Sequence, residues 1–247
     1  MDLIHCYRCI RCFGSLNLQE NESLACSVCK ATYPSIKGVK VLATNPTRLL
    51  QLQADWLAER RKEIIRSKTG LLDEGVGGKH SPAATARAME SLEGRLANLD
   101  LLERVMAPAR DHLAAQPRQR SLFDAFSLGG FGKSSFRMLG YFYRDWGGTE
   151  ESRFLTDLLV GAVDRLGGDA RASVAVLGCG AGRLVHELAE LFPVVFGVDL
   201  SVDSLLLVDA LLEGAGMDFH FSFPHPQLPV SQKSVKVKGP EQRRRGI

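Results

Sequence analysis

The sequence predicts an α/β protein in three parts: a cysteine-rich ribbon, a helical middle region and a parallel sheet of the nucleotide-binding type. Three observations carry that prediction. Five of the six cysteines fall within the first 29 residues. The stretch that follows repeats apolar residues at helical spacing. From Ser173 the pattern becomes strand, glycine-rich turn, helix, strand, helix, a βαβα unit that implies parallel strands. The expected boundaries are 1–45, 46–148 and 149–247.

With 45% hydrophobic and 24% charged residues, the 247-residue chain can build a real core. A formal charge of +3 is too near balance to argue for nucleic acid or membrane by itself. The positive excess is local: from Ser231 onward Lys233, Lys236, Lys238, Arg243, Arg244 and Arg245 face only Glu241. Such a tail is either a solvated terminus or a contact for RNA or a membrane surface. No segment reaches the length of a membrane span, and MDLIHCYRC lacks an apolar signal core. A cytoplasmic protein with no membrane partner is expected, and in a reducing compartment clustered cysteines suggest metal over disulfides.

Cys9-Ile-Arg-Cys12 and Cys26-Ser-Val-Cys29 are two CxxC knuckles with 13 residues between them. Each lets two thiolates converge on one cation, and two knuckles complete a tetrahedral zinc site. Redox thiols or unpaired cysteines are the alternatives. Cys6 also forms a CxxC with Cys9, but Cys9/Cys12 makes the better symmetric pair, so Cys6 and His5 are read as spares. Four thiolates leave no open coordination position, so Cys9, Cys12, Cys26 and Cys29 should serve structure or docking of a protein partner. The following YPSIKGVKVL reads as a turn and a short strand.

The run CIRCFGSL…LACSVCKATYPSIKGVKVL, within residues 6–42, resembles the small zinc-ribbon family that activates tRNA and translation-factor methyltransferases. Members of that family share the two knuckles and a subsequent YP…G…L segment. Related ribbons also occur fused to bacterial methyltransferases.

Asn45-Pro46 is a cap followed by a first-position proline, and Leu49, Leu50, Leu52, Trp56 and Leu57 then recur at near-helical spacing. LLDEGVGGKHSP (71–82) should break this helix. Ser81-Pro82 starts a second one, with Met89, Leu92, Leu96, Leu99, Leu102 and Met106 in a single stripe and Pro108 and Pro117 bracketing its end. SLFDAFSLGGFGKSSFRMLGYFYRDWGG (121–148) is aromatic-rich and punctuated by glycine. A third helix begins after Thr149, with Glu150 and Glu151 favourable in its first turn. Its expected buried face is Phe154, Leu155, Leu158, Leu159, Ala162, Val163 and Leu166, and Gly167-Gly168 should end it.

The βαβα unit is expected as strand 173–178, helix 182–191, strand 194–199 and helix 202–213. Its turn, VAVLGCGAGRL, carries Gly178, Gly180 and Gly182 as GxGxG. Glycine is needed there because side chains would block close approach of backbone to a ligand. A dinucleotide fingerprint would need its third glycine at the position held by Arg183, so the spacing favours S-adenosylmethionine (SAM). The second strand, VVFGVD, ends in Asp199, whose carboxylate can accept both hydroxyl protons of a ribose. The alternative is a structural turn with Asp199 capping the next helix. Cys179 reads as packing, not as a nucleophile.

VAVLGCGAGRL and VFGVDLS resemble the first and second motifs of the SAM-dependent methyltransferases with a Rossmann-like sheet. In that family the first motif lies under the methionine part of SAM and the acid after the second strand binds the ribose. The resemblance implies Gly178 and Gly180, in the turn that Gly182 completes, and Asp199 as cofactor-binding residues. Upstream, LGYFYRDWGGTEESR is similar to the RDW segment of the carnosine N-methyltransferase family, which also has a GxGxGRL turn. There the arginine helps to hold SAM, which implies Arg144 here and hints at a nitrogen acceptor, although Tyr141 replaces a glutamine of that family. On chemistry alone, Arg144 either grips the SAM carboxylate or pairs with a neighbouring acid.

SLGGFGKSS (127–135) is not a phosphate loop, because Ser127 stands where the motif needs glycine and no strand precedes it. His220 and His225 lack metal spacing, and Trp56 and Trp146 are read as core or interface residues. After the turn, DFHFSF and SVKVKG alternate like two strands of a hairpin around PHPQLP. Only 65 residues follow Gly182, so the sheet is expected to be incomplete at its C-terminus, in a truncated or a naturally short chain. The expected activity is methyl transfer from SAM to an unidentified acceptor, achieved by positioning and with no catalytic residue assignable. The alternatives are a non-catalytic zinc-ribbon interaction protein, an inactive methyltransferase fragment, or RNA binding through ribbon and tail.

Overall fold

A computed structural model of the chain describes residues 7–76, 81–118, 139–148, 150–165, 173–214, 216–223 and 231–237. His5, Cys6, the SLGGFGKSS run, Gly167-Gly168, His225 and the tail from Lys238 lie outside the described residues.

The cysteine-rich segment is a three-stranded antiparallel sheet, β1 (Leu16–Leu18), β2 (Leu24–Cys26) and β3 (Thr32–Tyr33). It is followed by a hairpin of β4 (Ser35–Ile36) and β5 (Val39–Lys40). The hairpin is the expected turn and short strand with one strand more. Its two turn residues, Lys37 (φ 48°) and Gly38 (φ 84°), are both left-handed, as a two-residue hairpin loop prefers. Cys9, Leu16, Leu24, Cys26 and Tyr33 form a small core of their own.

Helix α1 spans Pro46–Val76 and so runs through the break expected at residue 71. Leu71, Leu72, Asp73 and Glu74 extend it, and Leu71 packs on the main core, which outweighs the glycine that follows. Helix α2 (Pro82–Val105) starts as expected: the Ser81 hydroxyl oxygen accepts from the Ala84 amide at 3.2 Å, with proline in the first turn. It ends at Val105, just before Pro108 as expected, and Pro108 lies in the first turn of a new helix, α3 (Ala107–Ala114), where its missing amide hydrogen costs nothing. Residues 139–146 form α4. Leu50, Leu57 and Ile64 of α1 and Leu92, Leu99 and Leu102 of α2 share one core with Met106, Leu139 and Phe142.

Helix α5 (Glu150–Arg165) precedes the βαβα unit, which comprises β6 (Ser173–Leu177), α6 (Arg183–Leu188), β7 (Val194–Val198) and α7 (Val202–Leu212). Strands β6 and β7 are parallel, in register from Ser173↔Val194 to Leu177↔Val198. One of their faces holds Val174, Val176 and Val195 against α6 and against Val160 and Val163 of α5. Helix α7, apolar nearly all round, is buried in the main core beside Ile36 and Val41 from the end of the ribbon.

Two expectations change here. The predicted buried face of α5 is largely exposed, with Phe154 at 67% and Leu158 at 51%, and Leu155 and Leu159 are exposed as well. Helical periodicity finds an apolar stripe but not what covers it, and the described sheet beside α5 has only two strands. The single Rossmann-like sheet is also not what the described residues form. Strands β8 (Met217–Phe223) and β9 (Ser231–Val237) make the expected hairpin, but as a separate antiparallel sheet with no pairing to β7. Asn98 of α2 instead meets β8 at His220. Its amide donates to the His220 carbonyl at 2.8 Å and accepts from the His220 amide at 2.9 Å, taking up both backbone groups of that residue.

Candidate functional site

The two knuckles are built alike. The amide of the residue after each second cysteine is left-handed and returns to the first cysteine's carbonyl: Phe13 to Cys9 at 2.7 Å, Lys30 to Cys26 at 3.2 Å. The first cysteine's own amide donates forward, from Cys9 to Gly14 at 2.9 Å and from Cys26 to Ala31 at 2.8 Å. Gly14 lets the knuckles approach, since a Cβ there would sit 2.8 Å from a Val28 methyl carbon and 3.3 Å from the Cys12 sulfur.

This pairing brings together the four sulfurs of Cys9, Cys12, Cys26 and Cys29, all within 4.8 Å of one another. Cys9 and Cys29 are 3.5 Å apart, and Cys12 and Cys26 are 3.4 Å apart. Tetrahedral zinc with its usual sulfur bond length needs edges of about 3.8 Å. The cluster is therefore compatible with a zinc site.

The two leading cysteines are the ones prepared to ionise. Burial pushes the Cys9 thiol up, but hydrogen bonds from the Tyr33 hydroxyl and the Arg11 and Cys12 amides outweigh this and hold it at about 6. The Cys29 and Val28 amides, each 3.4 Å from its sulfur, lower Cys26 against the opposing effect of burial. At Cys12 the Gly14 backbone lowers the value, but the neighbouring sulfurs and burial push it up to about 12. Tyr33, 3.1 Å from the Cys9 sulfur, is pushed up to about 12 by burial and by that thiol, so its hydroxyl stays protonated and donates. The sequence analysis passed over Tyr33, although its place in the YP segment marked it.

The glycine turn follows β6. Gly178 (φ 66°), Gly180 (φ 52°) and Gly182 (φ 74°) are all left-handed. Gly178 and Cys179 donate their amides to the Val198 carbonyl at 2.7 and 3.1 Å, and Gly182 donates to the Cys179 carbonyl at 2.8 Å. The Gly180 amide donates to Asp199 Oδ2 at 2.9 Å, and Asp199 Oδ1 accepts from Ser201 at 2.9 Å. Each carboxylate oxygen keeps a second acceptor site.

The three glycines differ in role. A Cβ on Gly178 would meet open space, whereas one on Gly182 would lie 2.5 Å from a Val208 methyl carbon of α7. Gly182 therefore keeps α6 and α7 close, and Gly178 keeps the surface bare. Cys179 packs, as expected: its sulfur lies 2.7 Å from where a Cβ on Gly197 would be. Burial, and then the Asp199 charge, push its thiol up to about 12.

Of the RDW segment, Arg144 donates from Nε to Asp145 Oδ1 at 2.6 Å and lies over the Tyr141 ring at 4.9 Å. The Asp145 hydrogen bond raises its pKa further. This is the neighbouring-acid pairing of the two readings. The residue that reaches the glycine turn is Trp146, whose Nε1 donates to the Ala181 carbonyl at 2.7 Å. Its ring also carries the Arg183 guanidinium at 5.0 Å and the His186 ring at 5.5 Å. The ribbon meets the same unit through Tyr7, edge-on to Phe196 of β7 at 6.2 Å.

Among the described residues no helix is long and apolar enough to cross a membrane. Compared with known families and with curated proteins, the chain matches no family model and no curated sequence.

Proposed function

We propose that the chain is a SAM-dependent methyltransferase carrying a structural zinc ribbon, with an acceptor that the residues do not identify. The observation that carries this reading is the use of the turn's amides. Those of Gly178, Cys179, Gly180 and Gly182 are all engaged within the chain, so none of these four is left to meet a ligand, and Gly178 offers bare surface. A pyrophosphate is held by amides of such a turn, whereas SAM presents a ribose, which a carboxylate acceptor suits, and a sulfonium cation, which needs no amide donor. Gly178 would lie under the methionine part, and the spare acceptor sites of Asp199 would take ribose hydroxyls.

Bound SAM would supply an electrophilic methyl on a sulfonium. The chain's own task would be to hold an acceptor in line with it and exclude water. Zinc would be held by Cys9, Cys12, Cys26 and Cys29 in a closed shell, outside the chemistry.

The exposed apolar side chains of α5, with Leu177 and Leu200, favour a second reading: a non-catalytic interaction protein. Isothermal titration of SAM into zinc-loaded chain separates the two. The methyltransferase reading expects one site per chain; no heat from well-folded protein would leave only the interaction protein.

A further inference from the structure

A cleft of about 450 Å³ opens on the α1–α2 pair, lined by Arg60, Glu63, Ile64, Arg66 and Ser67 of α1 and Arg95 of α2. Three guanidiniums share it with one carboxylate. Arg60 holds that carboxylate, Glu63, at 2.6 Å. The Arg66 Nε contact is 3.4 Å, to the Lys62 carbonyl of its own helix. Arg95 has no hydrogen bond to any described residue. Two other cations of the same helix pair are matched: Arg61 bridges Asp100 and Glu103, and Lys68 meets Glu93.

The imbalance is felt at Arg95. Burial depresses its pKa, the Arg60 charge depresses it further, and Glu63 opposes this only in part. A guanidinium does not shed its proton in a protein. The positive charge therefore persists, offset in part by Glu63 and, at Arg66, by Glu59, and a bound anion would offset the rest. Planar guanidinium forks match phosphate oxygens in paired hydrogen bonds, and a phosphoryl group carries charge enough to offset two cations. Arg60 and Arg66 are six residues apart, about 9 Å along the helix, which leaves room for more than one bare phosphate.

The geometry points to this cleft as a binding site for a phosphate ester, carried by a free nucleotide or by a nucleic-acid strand. Arg95 and Arg66 grip the phosphoryl oxygens and Arg60 shares itself between Glu63 and the ligand. The site is independent of the glycine turn and of whether SAM binds there.

The test uses zinc-loaded full-length chain, with ADP and a fluorescein-labelled single-stranded 12-nucleotide RNA as probes, at fixed ionic strength set with chloride. Arg95→Met keeps the apolar stem and should weaken binding about tenfold or more, the scale of a lost charged hydrogen bond. Arg66→Gln is the second variant should Arg95→Met lower Tm. Lys62→Gln removes the same charge outside the cleft and should leave affinity within about twofold. Binding of both probes, or of ADP alone, assigns the site to a free nucleotide's phosphate. RNA binding alone, with a salt slope reduced by about 0.7 in Arg95→Met, assigns it to a strand. The proposal is overturned if neither probe binds, if Lys62→Gln weakens binding as much as Arg95→Met, or if only anionic vesicles or a phosphopeptide bind.

Discussion

Trp146 donates its indole N–H to the carbonyl of Ala181, 35 residues ahead in the chain, and so fastens the RDW segment to the glycine turn. Both partners are buried, and Arg183 closes over the ring. The tryptophan, and not the arginine beside it, is what joins this segment to the turn.

Trp146→Phe keeps a ring but removes the donor, leaving the Ala181 carbonyl without it in a buried place. Stability should fall by about 1–3 kcal/mol in urea denaturation. Arg144→Gln, which loses an ion pair that is half in solvent, should cost less than about 1 kcal/mol. Equal losses would mean that the indole hydrogen bond is not what holds the segment.

Gly178 and Gly182 should answer alanine differently. At Gly178 the added methyl enters open space, so only the left-handed backbone is penalised, by about 1–2 kcal/mol. At Gly182 the same penalty is joined by the clash with Val208, worth about 1–3 kcal/mol more. Paired thermal melts would show the ranking.

Asn98→Ala removes the side chain that satisfies both backbone groups of His220. A loss of about 1–3 kcal/mol is expected, from two partly buried polar groups left unpaired. Hydrogen exchange at the His220 amide should accelerate with it. Unchanged protection would show that β8 does not depend on α2 at this point.

The thiol of Cys179 should be inert. With its pKa pushed up to about 12, above the ordinary thiol value of 9.0, it stays protonated in the folded protein. The associated stability is complete below pH about 9 and is lost as pH rises toward about 12. Iodoacetamide at pH 8 should leave it unmodified until the chain unfolds. Rapid labelling in native, zinc-loaded protein would contradict its packing against Gly197.

Zinc removal tests the ribbon. One metal per chain is expected by elemental analysis, and cobalt in its place should give the absorption of a tetrahedral thiolate site. Cys9→Ser or a strong chelator should unfold β1 to β3, whose small core includes two of the ligands.

The sequence made several of these features legible, and the reasons differ. The knuckles and the glycine turn are local patterns whose spacing dictates geometry, so Cys9, Cys12, Cys26 and Cys29 come together and Gly178, Gly180 and Asp199 meet in one turn. The Ser81-Pro82 start is local too. What depends on distant partners was not visible. The apolar stripe of α5 has the right period, but period does not say whether anything covers it. The alternation of β8 predicts a strand without revealing that Asn98, 122 residues earlier, holds its edge. Gly182 looks like its neighbours in sequence, and only Val208 distinguishes its role. Trp146 carried a signal, a lone tryptophan in a glycine-punctuated run, but its partner Ala181 carries none.

The most direct test of the central claim is calorimetric titration of SAM into zinc-loaded wild type, Gly178→Val and Asp199→Ala. The proposed site predicts one SAM per wild-type chain. Binding should be lost in Gly178→Val, whose side chain fills the open surface, and weakened at least about tenfold in Asp199→Ala, which loses the ribose acceptor. Wild-type affinity in both folded variants would contradict the assignment of SAM to this turn.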